Sequence, residues 1–240
     1  MPKWPLASRK TMIKTRLLLC IALCSGSLLT AQRAEQASWF TFELNRELSK
    51  KVSAEFSQQV RLDRNNTRLR GLYTNADFSY KLGKGWRALA EVRYSTSARW
   101  DRIRYGAGLQ KRWKLKGKQK AEVRLKGLFQ RQFHWLSDPT YGINPPMNNY
   151  RIKLGYEQKL IPKTRVGVYV EPMWRTERGE TFARRFRAGL QLNRALPGPF
   201  NVTLGYMWQR NINVIRNFHI LQLTLSFNWK KKSSQTETEQ

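Results

Sequence analysis

The sequence predicts an all-β fold: a closed antiparallel transmembrane β-barrel of about 10–12 strands, preceded by a cleavable signal peptide. Three observations predict it. From Trp39 to Trp229 apolar and polar residues alternate with period two, which puts successive side chains on opposite faces of a strand. The alternating runs reach the roughly 9 to 11 residues that cross a hydrocarbon layer at a tilt of about 45°. Aromatic residues gather near the ends of the runs, at Trp39, Trp86, Tyr94, Trp113, Phe133, Tyr150, Trp174, Trp208 and Trp229. An apolar body with a polar tip suits a membrane interface.

The first segment, 1–31, is set apart from the fold. Lys3, Arg9, Lys10, Lys14 and Arg16 precede an apolar run from Leu17 to Leu29, which Thr30-Ala31 closes. This arrangement reads as a secretory signal cut after Ala31, with Met12 as an alternative start, and implies export. Thirteen apolar residues are too few for a membrane-spanning helix. Both cysteines, Cys20 and Cys24, lie inside the segment, so the expected mature chain carries no disulfide and no cysteine metal site. Residues 32–229 form the expected barrel domain, and 230–240 a polar tail.

The strands follow in order. Residues 38–46 open the pattern. In 52–62, Val52, Ala54, Phe56, Val60 and Leu62 share one face and Ser53, Glu55, Ser57, Gln59 and Arg61 the other. In 72–82, Leu72, Ala76, Phe78, Tyr80 and Leu82 oppose Tyr73, Asn75, Asp77 and Ser79; in 86–94, Trp86, Ala88, Ala90, Val92 and Tyr94 oppose Arg87, Glu91 and Arg93. The runs 102–113, 120–133, 149–160, 165–175, 182–193, 200–210 and 217–229 repeat the pattern and bring the count to eleven. Bacterial barrels normally have an even number, so the expectation is a split strand, a missed strand, or a first strand lying inside the barrel. Connections after odd strands (47–51, 83–85, 114–119, 161–164, 194–199) read as short turns. Those after even strands (63–68, 97–101, 134–148, 176–181, 211–216) read as longer polar loops. A soluble β-sandwich also alternates, but it lacks such a two-sided arrangement of loops.

Charge decides the next question. The chain has 45 Lys+Arg against 16 Asp+Glu, a net +29 that invites a nucleic-acid reading. Removing the five signal cations leaves 40 minus 16, or +24. Of the sixteen remaining lysines, fourteen lie at the short-turn end or in the tail; only Lys126 and Lys153 do not. A lysine rim of this kind attracts anionic headgroups, at about 1 kcal/mol per residue. On the polar phase of the strands stand Arg61, Arg87, Arg93, Arg102, Arg104, Arg112, Arg124, Arg151, Arg165, Arg175, Arg185 and Arg187, with Lys126 and Lys153. Glu43, Glu55, Asp77, Glu91, Glu122, Glu157 and Glu171 share that phase. Fourteen cations and seven anions therefore face the expected lumen, where they would pair and fill it, and the surplus would favour small anionic solutes. A nucleic-acid partner would need a continuous exposed basic surface, so none is expected; the expected partners are outer-membrane lipids.

The opening Ser38-Trp39-Phe40-Thr41-Phe42-Glu43-Leu44, the turn Glu47-Leu48-Ser49-Lys50-Lys51 and the strand end Gln59-Val60-Arg61 carry a resemblance, as do Trp86-Arg87 and the closing Phe227-Asn228-Trp229. The chain resembles the family known as domain of unknown function 2490. That resemblance implies a bacterial outer-membrane barrel, in a Gram-negative-type cell, and supplies no catalytic residues.

The residues assign no catalytic site, no cofactor and no metal. No phosphate loop, dinucleotide motif or Cys/His cluster is present. The expected function is an outer-membrane barrel acting as a narrow channel or structural element with an arginine-rich lumen. A lipid-modifying outer-membrane hydrolase is the alternative, with His134 as its base; a soluble basic β protein binding nucleic acid is the third. His219 falls on the lipid-facing phase. The longest loop, opening at His134, offers His134, Trp135, Asp138 and Tyr141 for recognition, and equally a constriction folded over the lumen.

Overall fold

The computed structural model describes residues 34–97, 100–115, 120–136, 144–214 and 216–229. The expected signal segment 1–31 and the expected tail 230–240 lie outside them. Eleven strands follow one another: β1 (Ala34–Glu47), β2 (Val52–Asp63), β3 (Arg68–Gly83), β4 (Trp86–Thr96), β5 (Trp100–Lys114), β6 (Glu122–Leu136), β7 (Asn144–Ile161), β8 (Thr164–Glu177), β9 (Glu180–Ala195), β10 (Phe200–Asn211) and β11 (Arg216–Trp229). Each pairs with the next in antiparallel register, and β1 meets β11 to close the barrel.

Eleven is therefore the true count, and the even number expected for such barrels does not hold. Parity has a structural cost: in an up-and-down meander of odd number the first and last strands run the same way. Side-chain contacts across the seam rise together along both strands. Glu35 reaches Arg216 at 3.1 Å, Glu43 accepts a hydrogen bond from Ser226 Oγ at 2.7 Å, and Arg46 lies over the Trp229 ring at 4.7 Å. The seam is parallel, a slightly weaker pairing per residue than the other ten.

The two-sided loop pattern is also corrected. Connections after odd strands span 4, 2, 7, 2 and 4 residues, and those after even strands 4, 3, 7, 2 and 4. The polar stretches expected as loops instead continue the ladders. Polar residues pair as strands wherever both neighbours extend with them, because the backbone bonds are the same above an apolar belt as within it. At the odd end, Lys84 and Gly85 both take positive φ (47° and 82°), the signature of the two-residue hairpin turn that follows strand twist. A Cβ on Gly85 would also lie 2.3 Å from the Arg112 carbonyl oxygen.

Burial is inverted relative to a packed globule. Among the described residues fifteen polar or charged side chains are buried against eight apolar ones, while thirty-six large apolar side chains are exposed. The exposed set is the predicted apolar phase: Phe56, Leu72, Phe78, Val92, Leu109, Leu125, Leu154, Val168, Leu190, Leu204 and Leu223 all point outward. Aromatic rings bound this belt eight residues apart on single strands, as Trp86 and Tyr94 on β4, Tyr105 and Trp113 on β5, and Phe200 and Trp208 on β10. Six of the eight buried apolar groups, Ala37, Trp39, Tyr169, Met207, Phe218 and Ile220, form one cluster inside the wall.

Candidate functional site: the lumen

The inward phase carries the charges, as the alternation predicts, and the structure sorts them by height. At the lysine end the lumen opens as a vestibule of about 1120 Å³, lined among others by Glu55, Asp77, Arg87, Arg112, Lys126 and Trp229. Glu55 and Asp77 face each other in register across β2 and β3. Arg87 is on the same wall. None of these three enters one of the ion pairs of the network, so this part of the predicted network is a water-facing wall.

From the inner end of the vestibule, which Glu91 lines, buried groups occupy the lumen. Glu91, 8% exposed, stands 3.4 Å from Arg104 and accepts a hydrogen bond from Gln130, which is fully buried. Between them in register is Gly106, where a Cβ would sit 2.5 Å from Glu91 Cγ. The glycine gives the glutamate room to reach across β5. On the opposite wall Glu171, 3% exposed, accepts from Arg151 Nη2 at 2.5 Å and Nε at 3.1 Å, and from Arg187 Nη1 at 3.1 Å. Arg187 Nε in turn donates to Gln209 at 2.9 Å. Removed from water, these charges are tolerated because each carboxylate is paired with arginine, and on the Glu171 wall the pairs are also multiply hydrogen-bonded.

Nearer the lysine end Glu122, Arg124 and Glu157 form a third group. Arg124 contacts both carboxylates, Arg112 approaches Glu122 at 3.8 Å, and Arg165 binds Glu157 at 2.9 Å. Two of the other predicted arginines have neutral partners, Arg93 donating to Asn75 and Arg185 Nε to Asn211 Oδ1 at 3.0 Å, while Arg175 lies 3.6 Å from Glu177 and 3.3 Å from Asn149 Oδ1. Arg102 faces His134 in register. Arg61 is held between the rings of Trp39 and Tyr73, each 3.8 Å from its guanidinium carbon, and bonds Gln59.

Two sets of residues escape the charge pattern. Asn75, Asn149 and Gln209 are buried amides that accept from arginines, Gln130 is one that donates to Glu91, and their position on the inward phase is the only sequence signal for them. Arg184 escapes entirely, because a bulge at Met173/Trp174 shifts the register of β8 and β9 and brings its Nη1 to Asn149 Oδ1 at 3.0 Å. Alternation carries no trace of a bulge in advance.

The loop-recognition group is corrected in part. His134 does not open a loop: β6 continues to Leu136, and the ring is inside the barrel, 7% exposed, against Gln132. Buried in the wall, it is no base for an exposed lipid. The backbone of Trp135 pairs with Asp101 in the β5–β6 ladder. Asp138 and Tyr141 lie outside the described residues. His219 faces outward as expected, its Nδ1 bonded to the Tyr206 hydroxyl at 2.5 Å.

Fold and interior together, a closed β-barrel with a polar lumen inside an apolar wall, fit an outer-membrane barrel protein in general. Comparison with known proteins takes this no further: no family model matches the chain, and no curated protein matches it.

Proposed function

We propose that the chain is an outer-membrane β-barrel protein of a Gram-negative-type bacterium, exported by segment 1–31, whose lumen is closed at mid-height and which serves as a structural element of the membrane. The resemblance to domain of unknown function 2490 is part of this proposal and agrees in location and fold. Its membrane part is supported by the spacing of the aromatic rings. Eight residues at about 3.4 Å give roughly 27 Å along the strand, and a tilt of about 40° reduces this to roughly 21 Å of height, near the ~25 Å belt of such barrels. The closed lumen rests on one observation, the buried Arg151–Glu171–Arg187–Gln209 and Arg104–Glu91–Gln130 groups above the vestibule.

A second reading, a narrow path for small anions, is favoured by the surplus of lumen arginines. Two measurements test both. Membrane fractionation with heat-modifiable gel migration is expected to place the folded chain in the membrane fraction, with a shift on boiling; a soluble chain that does not shift overturns the proposal. Planar-bilayer recording of the purified barrel is expected to show no steady conductance, and anion-selective current would instead establish the second reading.

A further inference from the structure

The outward wall carries a feature that the membrane proposal does not by itself explain. Between β9, β10, β11 and β1, next to the parallel seam, lies a groove of about 480 Å³, lined by Leu190, Leu192, Leu204, Leu221, Leu223 and Phe40. It is about three times the ~150 Å³ apolar cavity that admits a benzene ring. Leu204 and Leu221 stand on its edges, 52% and 61% exposed.

Above the groove one face of β10 changes in chemistry step by step. Leu204 is apolar. Tyr206, two residues on, lines the top of the groove and holds its hydroxyl against His219 Nδ1 at 2.5 Å. Trp208 follows at the aromatic ring, in register with His219, and exposed Arg210 stands at the rim. From Leu204 to Arg210 is six residues, roughly 20 Å along the strand and roughly 16 Å of height. That is about half of a ~30 Å hydrocarbon core.

We propose that this face binds one anionic phospholipid, with an acyl chain in the groove, the ester linkage at Tyr206 and His219, and the phosphate at Arg210. The inference rests on the membrane reading above. The order of apolar, hydrogen-bonding and cationic groups over half a bilayer is the order in which a phospholipid presents its own parts.

Native mass spectrometry of the detergent-purified, delipidated barrel tests it, with phosphatidylglycerol and phosphatidylethanolamine as probes. One phosphatidylglycerol is expected to be retained at about tenfold lower concentration than phosphatidylethanolamine. Leu204→Trp with Leu221→Trp fills the groove and is expected to weaken retention of both by about tenfold or more, the loss of roughly two buried methylenes. Arg210→Gln is expected to abolish the preference and keep the chain contact. Unchanged retention in the filled variant, an undiminished preference in Arg210→Gln, or a dimer in place of the lipid-bound monomer overturns the inference. Heat-modifiable migration of each sample separates the two levels. Its absence in the unaltered chain removes the membrane reading and the inference together, whereas its presence with unchanged retention removes the inference alone.

Discussion

Replacing Glu171 by Gln is the most direct test of whether the lumen is dry and filled. The carboxylate receives three charge-assisted hydrogen bonds, two from Arg151 and one from Arg187, and its side chain is 4% exposed against 16% and 11% for the arginines. A Gln keeps one oxygen and turns an N–H toward a guanidinium, so at least one of these bonds is lost and two cations remain without a counter-charge. Losing bonds to charged groups costs about 1.5–3 kcal/mol each, and stripping one partner from a buried pair about 3–5 kcal/mol. The expected loss is therefore about 3–5 kcal/mol, equivalent to two to four orders of magnitude in the folding constant. Glu157→Gln makes the same chemical change in the same lumen, but Arg165 is 51% exposed and Arg124 37%, so water screens the loss to about 1 kcal/mol or less. Urea unfolding of the barrel in lipid vesicles, followed by tryptophan emission, measures both. A Glu171→Gln variant within 0.5 kcal/mol of Glu157→Gln would refute the filled lumen, since it would mean that water reaches both sites alike.

Other outcomes follow from single contacts. Gly106→Ala places a methyl 2.5 Å from Glu91 Cγ and should cost about 1–3 kcal/mol, whereas Gly127→Ala, with nothing within 4 Å, should stay within about 0.5 kcal/mol in the same unfolding assay. Arg61→Lys loses planar stacking on Trp39 and Tyr73 and should cost about 1–2 kcal/mol, read by the same method with near-ultraviolet circular dichroism of the two rings as an independent signal. Paired Glu43→Cys and Ser226→Cys substitutions should oxidise to a disulfide within one chain, seen as a faster band on a non-reducing gel, because β1 and β11 are bonded neighbours at the usual ~4.8 Å spacing, within disulfide reach, and these two residues meet across the seam. No such band would contradict closure between β1 and β11.

How much of this was legible in the sequence differs by kind of information. Period-two alternation is a local property, so it located all eleven strands and put Glu91, Arg104, Glu171 and Arg187 on the inward phase. Strand ends were not legible on the side opposite the lysines. Whether Asp101 or His134 belongs to a loop or a ladder depends on whether its neighbour extends equally far, which is a pairing property. Partners were not legible either. Glu55 and Asp77 share the phase of Glu91, yet only Glu91 meets an arginine at this distance, because height in the barrel depends on register and shear. Bulges, as at Arg184, change the phase without any compositional mark.

The excess of positive charge, which first suggested nucleic acid, finds a different explanation in the division of labour between arginine and lysine. The fourteen cations and seven anions of the inward phase, to which Arg184 adds a further cation, cannot all pair, and several of these arginines bond neutral groups as well or instead. Arg93, Arg184, Arg185 and Arg187 each donate to an amide oxygen, of Asn75, Asn149, Asn211 and Gln209. Arginine can do this because its five donors lie in a fixed plane and its charge is weakly hydrated, so one guanidinium spans a carboxylate and an amide at once, as Arg187 does between Glu171 and Gln209. A lysine ammonium is more strongly hydrated, and its described copies keep to the rim in water, apart from Lys126 at the vestibule and Lys153, which lies 3.8 Å over the Tyr169 ring. The buried amides thus occupy guanidinium donors that missing carboxylates would have taken, without neutralising the charge. For that reason a count of lumen charges overstates what is available to a passing anion.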